Sequence, residues 1–386
     1  MIPQTVHWID QPGQLPALCQ TLQGQSRLAV DTEFVRTNTY NPLPGLIQIA
    51  TPTDIYLVDP VRIPNADLQP LGSVLLSPGM QLLMHSGGED LELFQLIWGR
   101  LPTNLLDTQI AASLAGFDRQ TGLQRLLKET LDVDLGKEET RSDWTRRPLT
   151  DSQIHYAAED VRHLFRLADL LLDKLTQLQR IDWCTQECNA LLERYRNKTP
   201  DDMLYLGFTS GWKFKPEQQA ALQHLAAWRE RMARERNIPR TFIGKDAVLY
   251  GLVEKQPRHK GALEDIGVQG SSIRRWGDEL LKQLQIGLQQ GKPTWPIPQP
   301  LTRQQQDDYK ELRNVLASVG QELGIVPDLL ASKAQLSDYI QDRAEGQDGS
   351  DVFTGWRAQV LLPRLNAHPL ASAPATASGG NEPNEH

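Results

Sequence analysis

Three cysteines in 386 residues, Cys19, Cys184 and Cys188, are too few and too irregularly spaced for a disulfide framework. The odd count argues against a secreted, disulfide-built protein. Cys184 and Cys188 lie four apart in a helical run, and no neighbouring His or Cys completes a zinc set, so both read as reduced and structural. No stretch of about 18 apolar residues is present, which argues against a membrane span. The first residues, MIPQTVHWIDQPGQ, lack a basic region followed by an apolar one, which argues against a secretory leader. These absences together point to a cytoplasmic protein with no membrane partner. Global basic character is lacking too, because the formal net charge is −8.

The chain has 39% hydrophobic and 23% charged residues, the composition of a soluble globular protein, and a length that implies two or three domains. Its charge is unevenly spread. Between Lys213 and Lys292, 15 Lys and Arg stand against 9 Asp and Glu, a local excess of six positive charges. A carboxylate-rich part beside a basic part that holds phosphate is consistent with this split.

The stretch that organises the rest is RLAVDTEF, a run of strand formers ending in Asp31 and Glu33. Alternation along a strand puts these two carboxylates on one face and turns Thr32 to the other. Two anions held that close repel unless a proton or cation neutralises them, and Mg²⁺ and Mn²⁺ prefer such oxygen ligands. Partners follow. Asp90 opens a helical run in HSGGEDLELF, and Tyr156 and Asp160 lie four apart on one helix face in DSQIHYAAEDVRHLF. Each alone has an ordinary explanation: strand acids facing water, an Asp complementing a helix dipole, a surface Tyr–Asp contact. All three ordinary explanations holding at once is improbable.

The order D-x-E, then D, then Y-x-x-x-D resembles the DEDD superfamily of 3′–5′ exonucleases in its tyrosine-bearing branch. DTEFVRTNTYNPLPGLIQIA, HSGGEDLELF, LLDTQIAASL, RSDWTRRPLT and YAAEDV are similar to bacterial ribonuclease D, across Asp31 to Val161. The resemblance implies a ribonuclease H-like α/β exonuclease domain, a mixed sheet flanked by helices, followed by two all-α HRDC-like domains. The expected domains are 1–200 for the exonuclease, 210–292 for the HRDC module, 301–366 for a more divergent HRDC-like unit, and 367–386 for a disordered Ala/Ser/Pro-rich tail. Pro293, Pro296, Pro298 and Pro300 make the connection between the helical parts semi-rigid.

The residue pattern supplies a coarse map. Strands are expected at Thr5–Ile9, Arg27–Phe34, Gly45–Thr51, Ile55–Val58 and Met80–His85. Helices are expected at Leu15–Leu22, Leu68–Leu76, Leu105–Leu114 and Leu123–Leu131. A long helix runs from about Asp151 to Gln179 behind cap residues in Leu149–Ser152. A polar connector over Asn197–Thr209 precedes the helical parts.

Two divalent ions, Mg or Mn, about 3.5–4 Å apart serve in-line phosphodiester hydrolysis. Asp31 is expected to bridge them, Glu33 and Asp160 to complete the water-side ion, and Asp90 to hold the other. Tyr156, with a reference pKa near 10, is a poor base and reads as the orienter of the attacking water. Phe34, Arg36, Tyr40, Gln48 and His85 are candidate substrate contacts, and Asp107 a supporting acid. Lys255, Arg258, Lys260, Arg274 and Arg275 are candidate phosphate anchors. The resemblance implies a monomeric 3′–5′ exoribonuclease that releases nucleoside 5′-monophosphates from RNA with a free 3′ end, notably tRNA precursors. The alternatives are a DNA-directed exonuclease of the same fold and a non-catalytic RNA-binding protein.

Overall fold

The computed structural model describes residues 2–3, 5–136, 139 and 142–370. The tail expected to be disordered lies, from residue 371 on, outside the described residues. Six strands form one sheet: β1 (Thr5–Ile9), β2 (Arg27–Val35), β3 (Leu43–Ala50), β4 (Asp54–Val58), β5 (Gln81–Met84) and β6 (Leu105–Asp107), in the order β1-β4-β3-β2-β5-β6. β3 runs antiparallel to both neighbours, whereas β1–β4 and β2–β5 are parallel, so the sheet is mixed. The central position of β2 explains its sequence: Leu28, Ala29 and Val30 are fully buried, as a strand covered on both faces requires.

Helices α1 (Leu15–Gln23), α2 (Gln69–Leu75), α3 (Gly88–Trp98), α4 (Thr108–Leu114), α5 (Leu123–Leu131), α6 (Asp151–Arg162), α7 (Leu164–Gln177) and α8 (Ile181–Arg196) follow in the first half of the chain. α6 packs across β2, β3 and β4, and α3 meets β2. The helical parts comprise α9 (Pro216–Glu235), α10 (Arg240–Ile243), α11 (Asp246–Lys255), α12 (Gly270–Leu288), α13 (Arg303–Leu323), α14 (Pro327–Leu330), α15 (Lys333–Ala344) and α16 (Gly355–Asn366).

Two compact units emerge. One comprises the described residues of 1–105, 136–163 and 191–300; within it, the sheet carries one apolar core and α9, α11 and α12 another. The other comprises those of 106–135, 164–190 and 301–386. Within this second unit, Trp183 stacks on Trp356 at 4.4 Å, and Glu187 accepts hydrogen bonds from Trp356 and Arg357.

Three local expectations change. Leu105–Leu114 is a strand and then a helix: Asp107 ends β6 and caps α4, its carboxylate accepting from the Gln109 and Ile110 amides at 2.8 and 3.2 Å. The expected helix over 151–179 breaks at His163, and its two pieces belong to different units. Apolar residues keep their helical spacing across that break (Ala157, Val161, Leu164, Ala168), so periodicity does not reveal it. The polar connector contains two 3₁₀ turns, Asp201–Gly207 and Thr209–Lys213, and Tyr205 within it is fully buried in the α9–α12 core.

Candidate active site

β2 delivers Asp31 and Glu33 to the face covered by α6, and α6 delivers Asp160 to meet them. One carboxylate oxygen from each of the three lies within 4.8 Å of the others. α6 starts in a capping box that fixes its first turn: the Thr150 hydroxyl accepts from the Gln153 amide at 3.2 Å, while the Gln153 side chain accepts from the Thr150 amide at 3.0 Å. Of the cap residues the sequence offers, Thr150 takes the role.

Asp90, in the first turn of α3, stands outside that three-residue set. Its carboxylate accepts from the Thr32 hydroxyl at 2.5 Å. The Thr32 hydroxyl thereby ties β2 to the first turn of α3 and holds Asp90 beside the cluster, where its charge acts on Asp31 and Glu33. The turn before α3 spends its glycines on space: a side-chain carbon at Gly88 would lie 2.9 Å from the Tyr195 hydroxyl, and the left-handed backbone falls on Ser86 instead, at φ 59°.

Charge crowding dominates the electrostatics. Burial, followed by the charges of Asp90, Asp160 and Glu33, holds the Asp31 carboxyl well above the usual range, with the Thr32 backbone opposing. Burial, then Asp160 and Asp90, pushes Glu33 up to about 9. A donor set of this kind, oxygen only, convergent and mutually repelling, fits hard divalent cations that restore the charged forms. Tyr156, one turn before Asp160, is driven the same way by burial and then by Asp160, Glu33 and Asp31, with a hydrogen bond to Asp160 adding to it; its hydroxyl stays protonated.

Sequence reasoning missed what walls Tyr156. Trp144 is 1% exposed, and its ring lies 6.2 Å from that of Tyr156. The β2–β3 register slips beyond Glu33, leaving Gly45 as the extra residue of a bulge, and a side-chain carbon there would come within 2.6 Å of Trp144 Cβ. Arg147 locks this junction. It donates to both oxygens of the fully buried Asp59 at 2.6 and 2.7 Å, and to the carbonyls of Trp144, Arg146 and Gly45 at 2.8, 2.8 and 2.6 Å. The signal available was RSDWTRRPLT, a Trp and basic residues just ahead of the site helix.

The other candidates scatter. Phe34 packs against the sheet core, and Arg36 lies over its ring while pairing with Glu92 at 2.7 Å. Tyr40 turns to the α9–α12 part: its hydroxyl donates to the buried Glu230 at 2.5 Å, Arg240 lies over its ring, and the Asn41 amide donates to Asn237. Gln48 is fully buried on β3 across from Asp31. His85 is half-buried beyond the end of β5. Lys255, Arg258, Lys260, Arg274 and Arg275 are all exposed, with Lys260 paired to Asp278 at 2.6 Å and Arg275 over the Trp276 ring. Among the described residues, no helix is long and apolar enough to cross a membrane.

The chain is similar to known proteins. Residues 6–176 match the family model of a 3′-5′ exonuclease, and residues 218–284 match that of the HRDC domain. A protein named Ribonuclease D from Pseudomonas paraeruginosa is 33% identical over 373 residues, covering 94% of this chain and 98% of that protein. The Ribonuclease D of Escherichia coli K12 is 32% identical over 360 residues, covering 91% and 95%. The crystal structure of Escherichia coli RNase D, described as an exoribonuclease involved in structured RNA processing, superposes with a TM-score of 0.84. It is 30% identical and covers 94% of this chain and 98% of that one.

Proposed function

The chain belongs to the ribonuclease D family, and on that footing we propose that it is a 3′–5′ exoribonuclease releasing nucleoside 5′-monophosphates and trimming the 3′ ends of tRNA precursors. What supports this reading most is the convergence of Asp31, Glu33 and Asp160 within 4.8 Å, with Tyr156 one helical turn away. In this reading Asp31 would serve both of two divalent ions, Mg or Mn, with Glu33 and Asp160 as further ligands of one and Asp90 of the other. When bound, the ions supply charge relief at the scissile phosphate and an activated water for in-line attack.

The rest of the work falls to the chain's own groups. Tyr156 keeps its proton and donates it in a hydrogen bond to Asp160, which fixes the hydroxyl's direction, so its oxygen is left to accept a hydrogen bond from the nucleophilic water and orient it. Trp144 keeps the phenol from swinging away. Phe34 and Arg36 line the end of β2 where a terminal nucleotide would rest. The exposed Lys255, Arg258, Arg274 and Arg275 hold the phosphates of the RNA body by charge alone. The protein works in this reading as a cytoplasmic monomer.

Matched RNA and DNA strands carrying a label at the 5′ end test the proposal. The expected result is a ladder shortening from the 3′ end of the RNA, nucleoside 5′-monophosphate as product, and no digestion after exhaustive chelation. Preferential digestion of DNA would replace the substrate class, and full activity without divalent ions would remove the two-ion reading.

A further inference from the structure

Gln48 carries a buried amide that bonds to nothing. Its side chain is 0% exposed, and neither its oxygen nor its nitrogen has a hydrogen-bond partner among the described residues. Buried polar groups are normally paired, because leaving one unmade forfeits its hydration without return. An amide that served packing alone would have its bonds already, or would be replaced by an apolar side chain of the same volume.

Its surroundings narrow what it awaits. Gln48 sits directly across from Asp31 in the antiparallel β2–β3 pair. Opposed residues in such a pair share a face, with Cβ atoms about 4.5–5.5 Å apart. On that face its strand neighbours at two residues' distance are Leu46 and Ala50, and its partner on β4 is Leu57, all buried and apolar. α6, which covers this face, buries Ala157, Ala158 and Val161 together with Asp160. The polar groups in that frame are the acids, the Tyr156 hydroxyl beside them, and Gln153, whose side-chain oxygen is already taken by the Thr150 amide; Asp31 is the one directly opposite Gln48.

We propose that Gln48 is a positioning residue for the acid cluster: its amide N–H donates to the Asp31 carboxylate once divalent ions hold that carboxylate charged, fixing which oxygen faces them. The assignment rests on the two-ion reading above. Carboxylates that ligate metal are themselves hydrogen-bonded by an outer partner, whose loss costs about 10–100-fold in metal affinity. Full burial also removes Gln48 from the substrate contacts expected from sequence, since no solvent-borne ligand reaches a side chain with no exposed surface.

The test uses the full-length chain, stripped of metal, as wild type and as the variants Gln48→Met and Gln48→Leu, both of which keep the bulk and delete the amide. Mn²⁺ titration by calorimetry is paired with thermal melting in chelator. The expected result is a Mn²⁺ affinity about 10–100-fold weaker in both variants, with ion-free melting temperatures at or above wild type because an unpaired buried amide has gone. Wild-type Mn²⁺ affinity in the variants overturns the assignment, and so does a lowered melting temperature or failure to fold in both, which would make the amide structural. No uptake of Mn²⁺ by the wild type removes the two-ion reading together with this assignment, whereas equal uptake by wild type and variants removes the assignment alone.

Discussion

Within one compact unit the protein treats charge in two opposite ways. In the α9–α12 part, acids and bases are matched: Arg229 with Asp246 at 2.7 Å, Arg240 with Glu230 at 2.5 Å, Arg234 with Asp201 at 2.6 Å, Lys260 with Asp278 at 2.6 Å. On the sheet, three carboxylates crowd together, and burial and repulsion raise the proton affinity of Asp31 and Glu33. The exposed pairs of the matched part contribute modestly to stability, as surface ion pairs do, while the buried Arg229 and Glu230 each keep a partner of opposite charge. The crowded one lowers stability until a cation arrives. Like charge gathered against its own electrostatics marks a site that expects a ligand.

The harshest way to break this contrast is Asp31→Asn. Removing the carboxylate proposed to serve both ions is expected to abolish turnover and weaken Mn²⁺ binding, while the melting temperature in chelator rises because a neutral amide escapes the cost of burying an acid among other acids. Single-turnover assays beside calorimetry and melting curves measure all three, and a retained turnover contradicts the role given to Asp31. Tyr156→Phe comes next. It keeps the ring against Trp144 and deletes one hydroxyl, so metal binding is expected to persist while turnover falls by roughly 10²–10⁴-fold, the range of a positioned proton-handling group. Loss of metal binding in that variant would make the hydroxyl structural.

The basic side of the comparison is sharpened by Lys255→Ala, Arg258→Ala, Arg274→Ala and Arg275→Ala combined. Each phosphate contact to a single strand contributes about 0.7 to the slope of log affinity against log salt. The combined variant is therefore expected to bind RNA with a slope shallower by up to about 3, and an unchanged slope means that these residues form only a solvated face.

The pH response of the crowded site has a definite sign. Glu33 is pushed up to about 9 in the folded chain against an ordinary 4.5, so between those values the folded chain binds the extra proton. The Glu33 contribution to stability in chelator is therefore fully present below about 4.5 and is lost as pH rises toward about 9. Melting temperatures are expected to fall across that window in chelator and to flatten with Mg²⁺; a flat profile without metal would contradict the crowding. The smallest effect is expected from Tyr40→Phe, which removes one hydrogen bond to a buried carboxylate. Stability is expected to drop by about 1–3 kcal/mol in denaturant titrations with turnover near wild type, and a fall in turnover at unchanged stability would return Tyr40 to the substrate contacts.

The sequence was most legible where chemistry and period coincide. Asp31 and Glu33 share a face because strands alternate, and Tyr156 and Asp160 share one because helices turn in 3.6 residues. Both elements then meet as their apolar residues require. Legibility failed where an apolar stripe continues through a break, as at His163, and where a short buried strand of Leu105–Asp107 runs directly into a helix. It failed again at Tyr40 and Tyr205, whose partners lie 190 and 90 residues away. Trp144 and Arg147 could not be placed because their role depends on a bulge at Gly45 that only the strand register reveals.

Arg147 uses all five of its N–H donors, three on main-chain carbonyls and two on Asp59. Lysine, with three donors on a single nitrogen, has no means of serving five acceptors spread around a plane. A saturation screen for nuclease function would therefore score Arg147 as intolerant as the acids, lysine included, although the guanidinium touches neither substrate nor ion. The vulnerability of this enzyme to mutation reaches well behind its chemistry, to the knot that keeps a tryptophan against a tyrosine.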